Sequence, residues 1–272
     1  MRVFPARWPA VVLLASLFHA APAAADSLTI TGNGGSLAAV RLLADAYMKA
    51  NPETRLEVLP VVGTTGGVRA VLAGRLDIGV AGRQLTPSEK EAGAVETPFA
   101  RSPFVFCGHR GIPTTGLTSR GVTDIYAGRM TAWPDGTPVR LVLRPEGDSD
   151  TMILRGMSRE MSGALDGARA RPGMIVAQTD MDAAETLESV PGAFGVLALG
   201  MAMAEKRRVK VFTLDGAVPG AETLASGSYP HEKRYAFVTL RSPAPAVRRF
   251  LDFTRSREAK SLLSRVGFLP LR

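Results

Sequence analysis

The sequence predicts an α/β protein, because short strand-like runs alternate with helical runs along nearly the whole chain. The strand-like runs are rich in valine, isoleucine and leucine, and several end at glycine-rich turns. The helical runs repeat apolar residues at three- and four-residue spacing. The 247 residues that follow a predicted export signal suffice for one large or two smaller domains.

The first half of the chain alternates strands and helices in order. Strands are predicted at 27–31, 55–62 and 77–81. One helix should follow the GNGGS turn and end before Pro52, and a second should follow the GTTGG turn and end at Gly74. A third should begin at the TPSE segment, 86–89, which combines a capping box with proline at the first helical position.

The second half repeats the same alternation. Strands are predicted at 103–107, 139–143, 195–199 and 235–240, and helices at 121–128, 149–161, 179–190 and 246–266. Gly128 should end one of these helices. Thr179 and Asp182 are typical of a capping box rather than of a metal site.

The first 25 residues are typical of a cleavable secretory signal. Arg2 and Arg7 precede an apolar stretch at 11–18, and an AAA cleavage site precedes Asp26. The apolar stretch is shorter than the roughly 20 residues that a membrane-spanning helix needs. Because the residue directly after the cleavage site is aspartate and not cysteine, we expect a free periplasmic chain without a lipid anchor.

Charge and composition narrow the classes of ligand. The formal net charge of +8 suits an anionic ligand, although it also suits general solubility. Aromatic residues make up 6% and no basic stripe with interleaved aromatics occurs, so nucleic acid is not an expected partner. The single cysteine, Cys107, is expected to be a small buried residue. No spacing is typical of a zinc site, and we expect no metal and no cofactor.

Three polar turns share one design: GNGGS at 32–36, GTTGG at 63–67 and GDSDT at 147–151. Each should follow a strand and begin a helix, where backbone N–H groups lack partners and the helix dipole is positive. Any one of them could be only a helix cap. Together with Arg144 they indicate a shared oxyanion pocket, since a guanidinium binds oxyanions through two parallel hydrogen bonds.

Six segments, taken in order, resemble the substrate-binding proteins of phosphate ABC transporters. They are TGNGGS, VGTTGGVRAVLAGRLDIGVAGRQLT, GVTDIYAGRMTAW, LRPEGDSDT, VPGAFG and RRFLDFTRSREAKSLLSRVGFLPL, and they run from about Leu28 to Leu271. The resemblance implies the two-lobed type II periplasmic-binding-protein fold, with a mixed sheet flanked by helices in each lobe. It places lobe 1 at 26–106 and 229–272 and lobe 2 at 107–228, with crossings near 106–108 and 228–235.

In that family, phosphate is bound between the lobes by hydroxyl and amide groups of the first two turns and by an arginine and a helix start of the third. The resemblance carries this role over to Gly35, Ser36, Leu37 through its backbone N–H, Thr64, Thr65, Arg144, Ser149 and Thr151. It also places Glu146 next to Arg144 as a bracing acid.

One position departs from the family. The family has an aspartate where this chain has Gly82, and that aspartate accepts the proton of hydrogen phosphate. We hypothesise that Asp148 or Asp150 caps the third helix and that one of them supplies the missing acceptor. A fully ionised anion would meet such a buried carboxylate unpaired, which is costly. The alternative is that both acids are solvated first-turn charges.

The expected function is that of a monomeric periplasmic binding protein without enzymatic activity. It should capture phosphate or a similar oxyanion and deliver it to a membrane ABC permease. Two alternatives stay open. The same fold could carry or sense sulfate, molybdate or an organic phosphate. A phosphate-ester hydrolase is less favoured, because no GxSxG motif and no carboxylate–histidine cluster with metal spacing occurs.

Overall fold

A computed structural model of the chain, which describes residues 26–271, confirms the predicted α/β class. The predicted export signal lies outside the described residues. The first elements are β1 (Asp26–Gly32), α1 (Gly34–Ala50), β2 (Thr54–Val58), α2 (Gly63–Leu72), β3 (Ile78–Ala81), α3 (Pro87–Glu91), β4 (Ala94–His109), β5 (Gly116–Leu117), α4 (Ser119–Ala127) and β6 (Arg140–Leu143). They are followed by α5 (Ser149–Met157), α6 (Arg159–Ala170), β7 (Ile175–Val176), α7 (Asp180–Ser189), β8 (Ala193–Ala198), α8 (Leu199–Ala204), β9 (Val209–Val211), β10 (Thr213–Leu214), α9 (Ala221–Ser226), β11 (Glu232–Leu240), α10 (Pro245–Thr254), α11 (Arg257–Arg265) and β12 (Leu269–Pro270).

Two helices that were predicted to be continuous are each divided by a serine. Ser158 has extended backbone after α5, and its hydroxyl accepts a hydrogen bond from the Met161 N–H at 3.0 Å to begin α6. Ser256 begins α11 in the same way, with the Ala259 N–H at 3.1 Å. Because a serine hydroxyl satisfies a free N–H of a helix start, it can begin a new helix within one apolar pattern.

The GTTGG segment also differs from its prediction as a turn. It forms the first residues of α2, so that Thr64 and Thr65 are consecutive helical residues. Consecutive side chains on a helix point about 100° apart. The two threonines therefore face different surroundings: Thr64 is buried and Thr65 is exposed.

Ten of the described strands form a large mixed sheet in the order β2-β1-β3-β11-β4-β8-β6-β7, in which β9 and β12 also pair with β4, and β5 and β10 form a separate two-stranded sheet. Parallel pairs join β1 to β2 and to β3, and β6 to β7 and to β8. Antiparallel pairs join β11 to β3 and β4, and β4 to β8. The carboxyl ends of β1 and β6 lead into α1 and α5, so the polar turns lie at strand ends where α/β proteins bind ligands.

Strand β4 belongs to both halves of this sheet. Its residues 94–103 pair with β11 and β12, whereas its residues 104–109 pair with β8 and β9. Its central part is fully buried and includes Phe104, Phe106 and the free thiol of Cys107, which confirms the expectation for the cysteine. Within residues 26–271, no helix is long and apolar enough to cross a membrane.

Candidate functional site

The first polar turn places a hydroxyl and backbone amides at the start of α1. Asn33 caps this helix, since its side-chain oxygen accepts a hydrogen bond from the Gly35 N–H at 3.0 Å. Ser36 is fully buried, and its hydroxyl has no hydrogen-bond partner among the described residues. Leu37 is fully buried in the core. A β-carbon at Gly35 would lie 2.7 Å from the Tyr235 hydroxyl oxygen, so glycine is needed there for close packing.

The second turn contributes Thr64. Its hydroxyl oxygen accepts a hydrogen bond from the Gly82 N–H at 3.0 Å, next to the end of β3. Thr65 points outward, where its hydroxyl oxygen accepts a hydrogen bond from Arg83 at 3.3 Å. The structure thus brings Thr64 toward the other turns and leaves Thr65 on the exposed side of α2.

Arg144 lies at the end of β6 with 3% of its surface exposed. One terminal nitrogen donates to the Ala177 carbonyl at 2.8 Å, and the other donates to Asp148 at 3.0 Å and to Asp180 at 3.5 Å. Its Nε has no hydrogen-bond partner among the described residues. Burial opposes the charge, but the surrounding carboxylates hold the pKa of Arg144 above its ordinary value.

The expectation that Glu146 braces Arg144 is wrong. Glu146 is exposed and pairs with Arg155 at 2.7 Å and with Arg169 at 2.8 Å. Asp148 is the acid that braces Arg144. The reason is positional, because Glu146 lies on the outer side of the loop before α5, whereas Asp148 caps the helix directly beside the guanidinium.

Asp148 and Asp150 have different roles at the start of α5. One oxygen of Asp148 accepts a hydrogen bond from the Asp150 N–H at 2.9 Å, so Asp148 is the cap. Asp150 is fully buried, with one oxygen 2.5 Å from the Lys233 ammonium and the other 3.6 Å from Arg144 Nε. The interpretation of both acids as solvated charges is therefore wrong.

The remaining residues of the third turn face two directions. The Ser149 hydroxyl accepts a hydrogen bond from the Asn33 side chain at 3.4 Å, which links the start of α5 to the start of α1. Thr151 is buried, but its hydroxyl donates to the Pro145 carbonyl at 2.9 Å and lies 3.0 Å from Arg169. Thr151 therefore supports the loop and does not point toward Ser36.

Sequence reasoning missed Lys233 and Asp180. Lys233 is fully buried on β11, and its ammonium lies 2.5 Å from Asp150 and 3.2 Å from Asp180. Alternation along a strand places Lys233 on the same face as Tyr235 and Phe237, which was a usable signal for burial. Asp180 occupies the first position of α7, next to the capping box of Thr179 and Asp182, and an acid in a first helical turn is also typical of a plain helix start.

These side chains form a buried charge cluster, which we define as Arg144, Asp148, Asp150, Asp180 and Lys233. Two cations face three carboxylates in it. Burial raises the pKa of Asp150 to about 6, although Lys233 opposes this change. Burial would also raise the pKa of Asp180, but Lys233 and Arg144 outweigh it and lower that pKa.

Gly82 lies in contact with this cluster. A β-carbon at residue 82 would lie 2.9 Å from Lys233 Cε and 2.9 Å from the Asn33 side-chain nitrogen. An aspartate at this position is therefore incompatible with the observed place of Lys233. Where the family has an aspartate, this chain has Gly82, and the side chain of Lys233 packs against that glycine.

Known proteins that are similar to this chain align with most of its length. The phosphate-binding protein PstS of Borreliella burgdorferi is 23% identical over 258 residues, which cover 91% of this chain and 92% of the relative. The PstS protein of Bacillus subtilis is 24% identical over 257 residues, with 91% and 82% covered. A Clostridium perfringens protein solved with bound phosphate and assigned to the phosphate ABC transporter substrate-binding proteins superposes with a TM-score of 0.78 at 20% identity, covering 91% of this chain and 100% of that protein.

The structural likeness, together with the mixed sheet and its flanking helices, confirms the predicted type II periplasmic-binding-protein fold. The family model described as PBP superfamily domain matches residues 19–258, and the chain therefore belongs to the PBP superfamily.

Proposed function

We propose that this protein is a periplasmic solute-binding protein without catalytic activity, which captures phosphate or a similar oxyanion between two lobes and delivers it to a membrane ABC permease. One observation carries the proposal: the starts of α1 and α5, Thr64 of α2 and the buried Arg144 converge on one place between the two halves of the sheet. The curated relatives named as phosphate-binding proteins support it.

The site offers hydrogen-bond donors that the protein itself does not use. The Ser36 hydroxyl and Arg144 Nε are both buried and lack hydrogen-bond partners among residues 26–271. The N–H groups of Gly35 and Asp150 donate to the capping side chains, and the other N–H groups in the first turns of α1 and α5 add donors at the positive ends of helix dipoles. Such donors hold an oxyanion with neutral dipoles, and the guanidinium supplies charge.

Asp150 is better suited than Asp148 to accept a proton from the ligand. Both oxygens of Asp148 are engaged, one by the Asp150 N–H and one by Arg144. The second oxygen of Asp150 is buried and makes no hydrogen bond in the described chain, although it is ion-paired with Arg144 Nε at 3.6 Å. A hydroxyl on a protonated oxyanion would satisfy this oxygen, whereas sulfate at neutral pH brings no such hydroxyl.

Lobe boundaries and location complete the proposal. We place lobe 1 at 26–106 and 229–272 and lobe 2 at 107–228. The exchange of strand partners along β4 near Phe104 supports this division. We also propose that residues 1–25 are removed on export, and that the mature chain is a monomer without a lipid anchor.

The function is tested by titrating the purified protein with phosphate, sulfate and molybdate in a calorimeter. Arg144→Met should weaken binding of the preferred oxyanion about a hundredfold or more, because charge-assisted bonds to a buried oxyanion are lost. Arg140→Met is the matched control on the same strand, since Arg140 is exposed. An unchanged affinity of the Arg144 variant, or no binding of any oxyanion by the wild type, contradicts the proposal.

The role of Asp150 is tested with the same titrations. Asp150→Asn should lower the ratio of phosphate to sulfate affinity about tenfold, because the acceptor of the ligand proton is replaced by an amide. Asp148→Asn should change this ratio less, since both of its oxygens serve the protein. Equal ratios in the wild type and in both variants show that neither acid replaces the acceptor absent at Gly82.

The alternative ligand, an oxyanion other than phosphate, is favoured by Gly82, which removes an acid from the site. The same titrations decide it, because they rank the three oxyanions directly. An organic phosphate would need space beyond the cluster. A surface cavity lined by Gly82, Arg83, Ser149, Met152 and Arg234 lies next to it.

A further inference from the structure

We propose that Lys233, in the place that Gly82 leaves open for it, is a ligand-binding residue and the second cation of the oxyanion site. This inference rests on the proposed function and deepens it by naming a residue that sets ligand preference. It follows from the position of one lysine, the donors of that lysine and the charges that surround it.

The position of Lys233 bridges the two halves of the sheet. The residue lies on β11, which pairs with β3 and β4 in the first half. Its ammonium contacts Asp150 and Asp180, which begin helices of the second half. Lys233 thus lies where Arg144 and the polar helix starts converge, and its side chain is fully buried.

The ammonium keeps a donor for a ligand. A lysine ammonium has three N–H groups. Two are engaged, by Asp150 at 2.5 Å and by Asp180 at 3.2 Å, and within the described chain no third hydrogen-bond acceptor contacts it. Asp150 itself has one oxygen without a hydrogen-bond partner. Lysine and carboxylate together therefore present a donor and an acceptor, which is the pattern that a protonated oxyanion matches.

Gly82 is the condition for this arrangement. Any β-carbon at residue 82 would crowd Lys233 Cε, at 2.9 Å, and the Asn33 amide that links the two helix starts. Contacts below 3.0 Å force one partner to move. The observed position of Lys233 therefore depends on the absence of a side chain at Gly82.

The charges of the cluster explain why an oxyanion needs this lysine. Arg144 and Lys233 face Asp148, Asp150 and Asp180, so the cluster carries one formal negative charge. Without Lys233 it would carry two, and an incoming anion would meet a single guanidinium among three acids. A buried anion is tolerated only where it is paired.

The experiment measures phosphate affinity of the full mature chain by calorimetry and thermal stability in parallel. Lys233→Met should weaken phosphate binding about thirtyfold or more, the loss expected when one partner of a buried charge contact is truncated. Gly82→Ala should also weaken it, because the new methyl group displaces Lys233. Lys49→Met, which removes an exposed lysine, is the matched control and should bind as the wild type does.

A double-mutant cycle separates ligand contact from structural support. Lys233→Met in an Asp180→Asn background restores the formal charge of the cluster, so folding is maintained even if the single variant is unstable. If Lys233 contacts the ligand, the loss of affinity relative to Asp180→Asn alone stays about thirtyfold. The inference is overturned if the double variant binds phosphate as tightly as Asp180→Asn alone, or if Lys233→Met binds it as tightly as the wild type. Either result leaves the proposed function intact. Failure of the wild type to bind any oxyanion overturns both.

Discussion

At the scale of single residues, Asp150 is the acid of the buried charge cluster whose pKa is raised by burial. It is fully buried, it shares the cluster with two other carboxylates, and its nearest cation is Lys233. Burial raises its pKa from 3.8 to about 6. A carboxyl group with a raised pKa binds its proton more tightly in the folded than in the unfolded chain.

This shift predicts the pH dependence of stability. The protonated Asp150 favours folding below about pH 4, and the contribution is lost as the pH rises through about 6. The asparagine of the Asp150→Asn variant cannot ionise. As the pH rises from about 4 to about 6, the unfolding free energy of the wild type should therefore fall by up to about 3 kcal/mol more than that of the variant. Urea unfolding at several pH values measures this difference.

The control for this titration is Asp252→Asn, because Asp252 is an exposed acid on α10. Its replacement should change the unfolding free energy by less than about 0.5 kcal/mol. Parallel stability curves for the wild type and Asp150→Asn would show that Asp150 keeps its ordinary protonation equilibrium in the folded protein.

The sequence predicted part of the site at residue level. Ser36, Arg144, Ser149 and Asp150 are buried at converging helix starts, as the three polar turns indicated, although their ligand role stays a prediction. Thr65 and Thr151 lie in the predicted turns but face elsewhere. A motif fixes which residues are near a helix start, whereas the helix phase decides which of them face the buried charge cluster.

At the scale of elements, apolar periodicity located most helices and strands but not their ends. The helix predicted at 149–161 crosses the break at Ser158 and stops inside α6, so residues 162–170 of α6 lie outside the prediction. The helix predicted at 246–266 crosses the break at Ser256, and in both cases only the capping serine reveals the break. The prediction also shortened β4, because Thr97, Pro98, Arg101 and Ser102 interrupt its apolar run. Backbone pairing with β11 and β12 keeps that segment extended despite its polar residues.

Capping signals, in contrast, were reliable guides to helix starts. The capping box at Thr86 and Glu89 is formed, as is the one at Thr179 and Asp182. Gly128 ends α4 with a φ of 74°, a left-handed conformation that glycine adopts without strain. These signals succeed because each depends on hydrogen bonds or backbone angles within a few residues, and distant parts of the chain have little influence on them.

At the scale of the whole molecule, β4 and the buried charge cluster couple the two halves of the sheet. Strand β4 gives one end to each half. The ion pairs of Lys233 with Asp150 and Asp180 cross between the halves. Unfolding either half alone would break a shared strand and would leave buried charges unpaired, which is costly.

This coupling predicts that the protein unfolds in one cooperative transition. Scanning calorimetry should give a single peak with a ratio of calorimetric to van't Hoff enthalpy of about one. A ligand that binds the cleft should move the whole peak to higher temperature by mass action. Two separate peaks, or a shift confined to part of a divided peak, would show that the halves unfold independently.

The sequence by itself determined the α/β class, the starts of α1, α3, α5 and α7 and the presence of polar, glycine-containing turns beside Arg144, because these depend on local periodicity and capping. Only the tertiary structure decided that Asp148 rather than Glu146 braces the arginine, and that Lys233 enters the buried charge cluster beside Gly82. Lys233 lies 83 residues from Asp150 along the chain. Contacts at such separation depend on how strands and helices pack, and local patterns do not encode them.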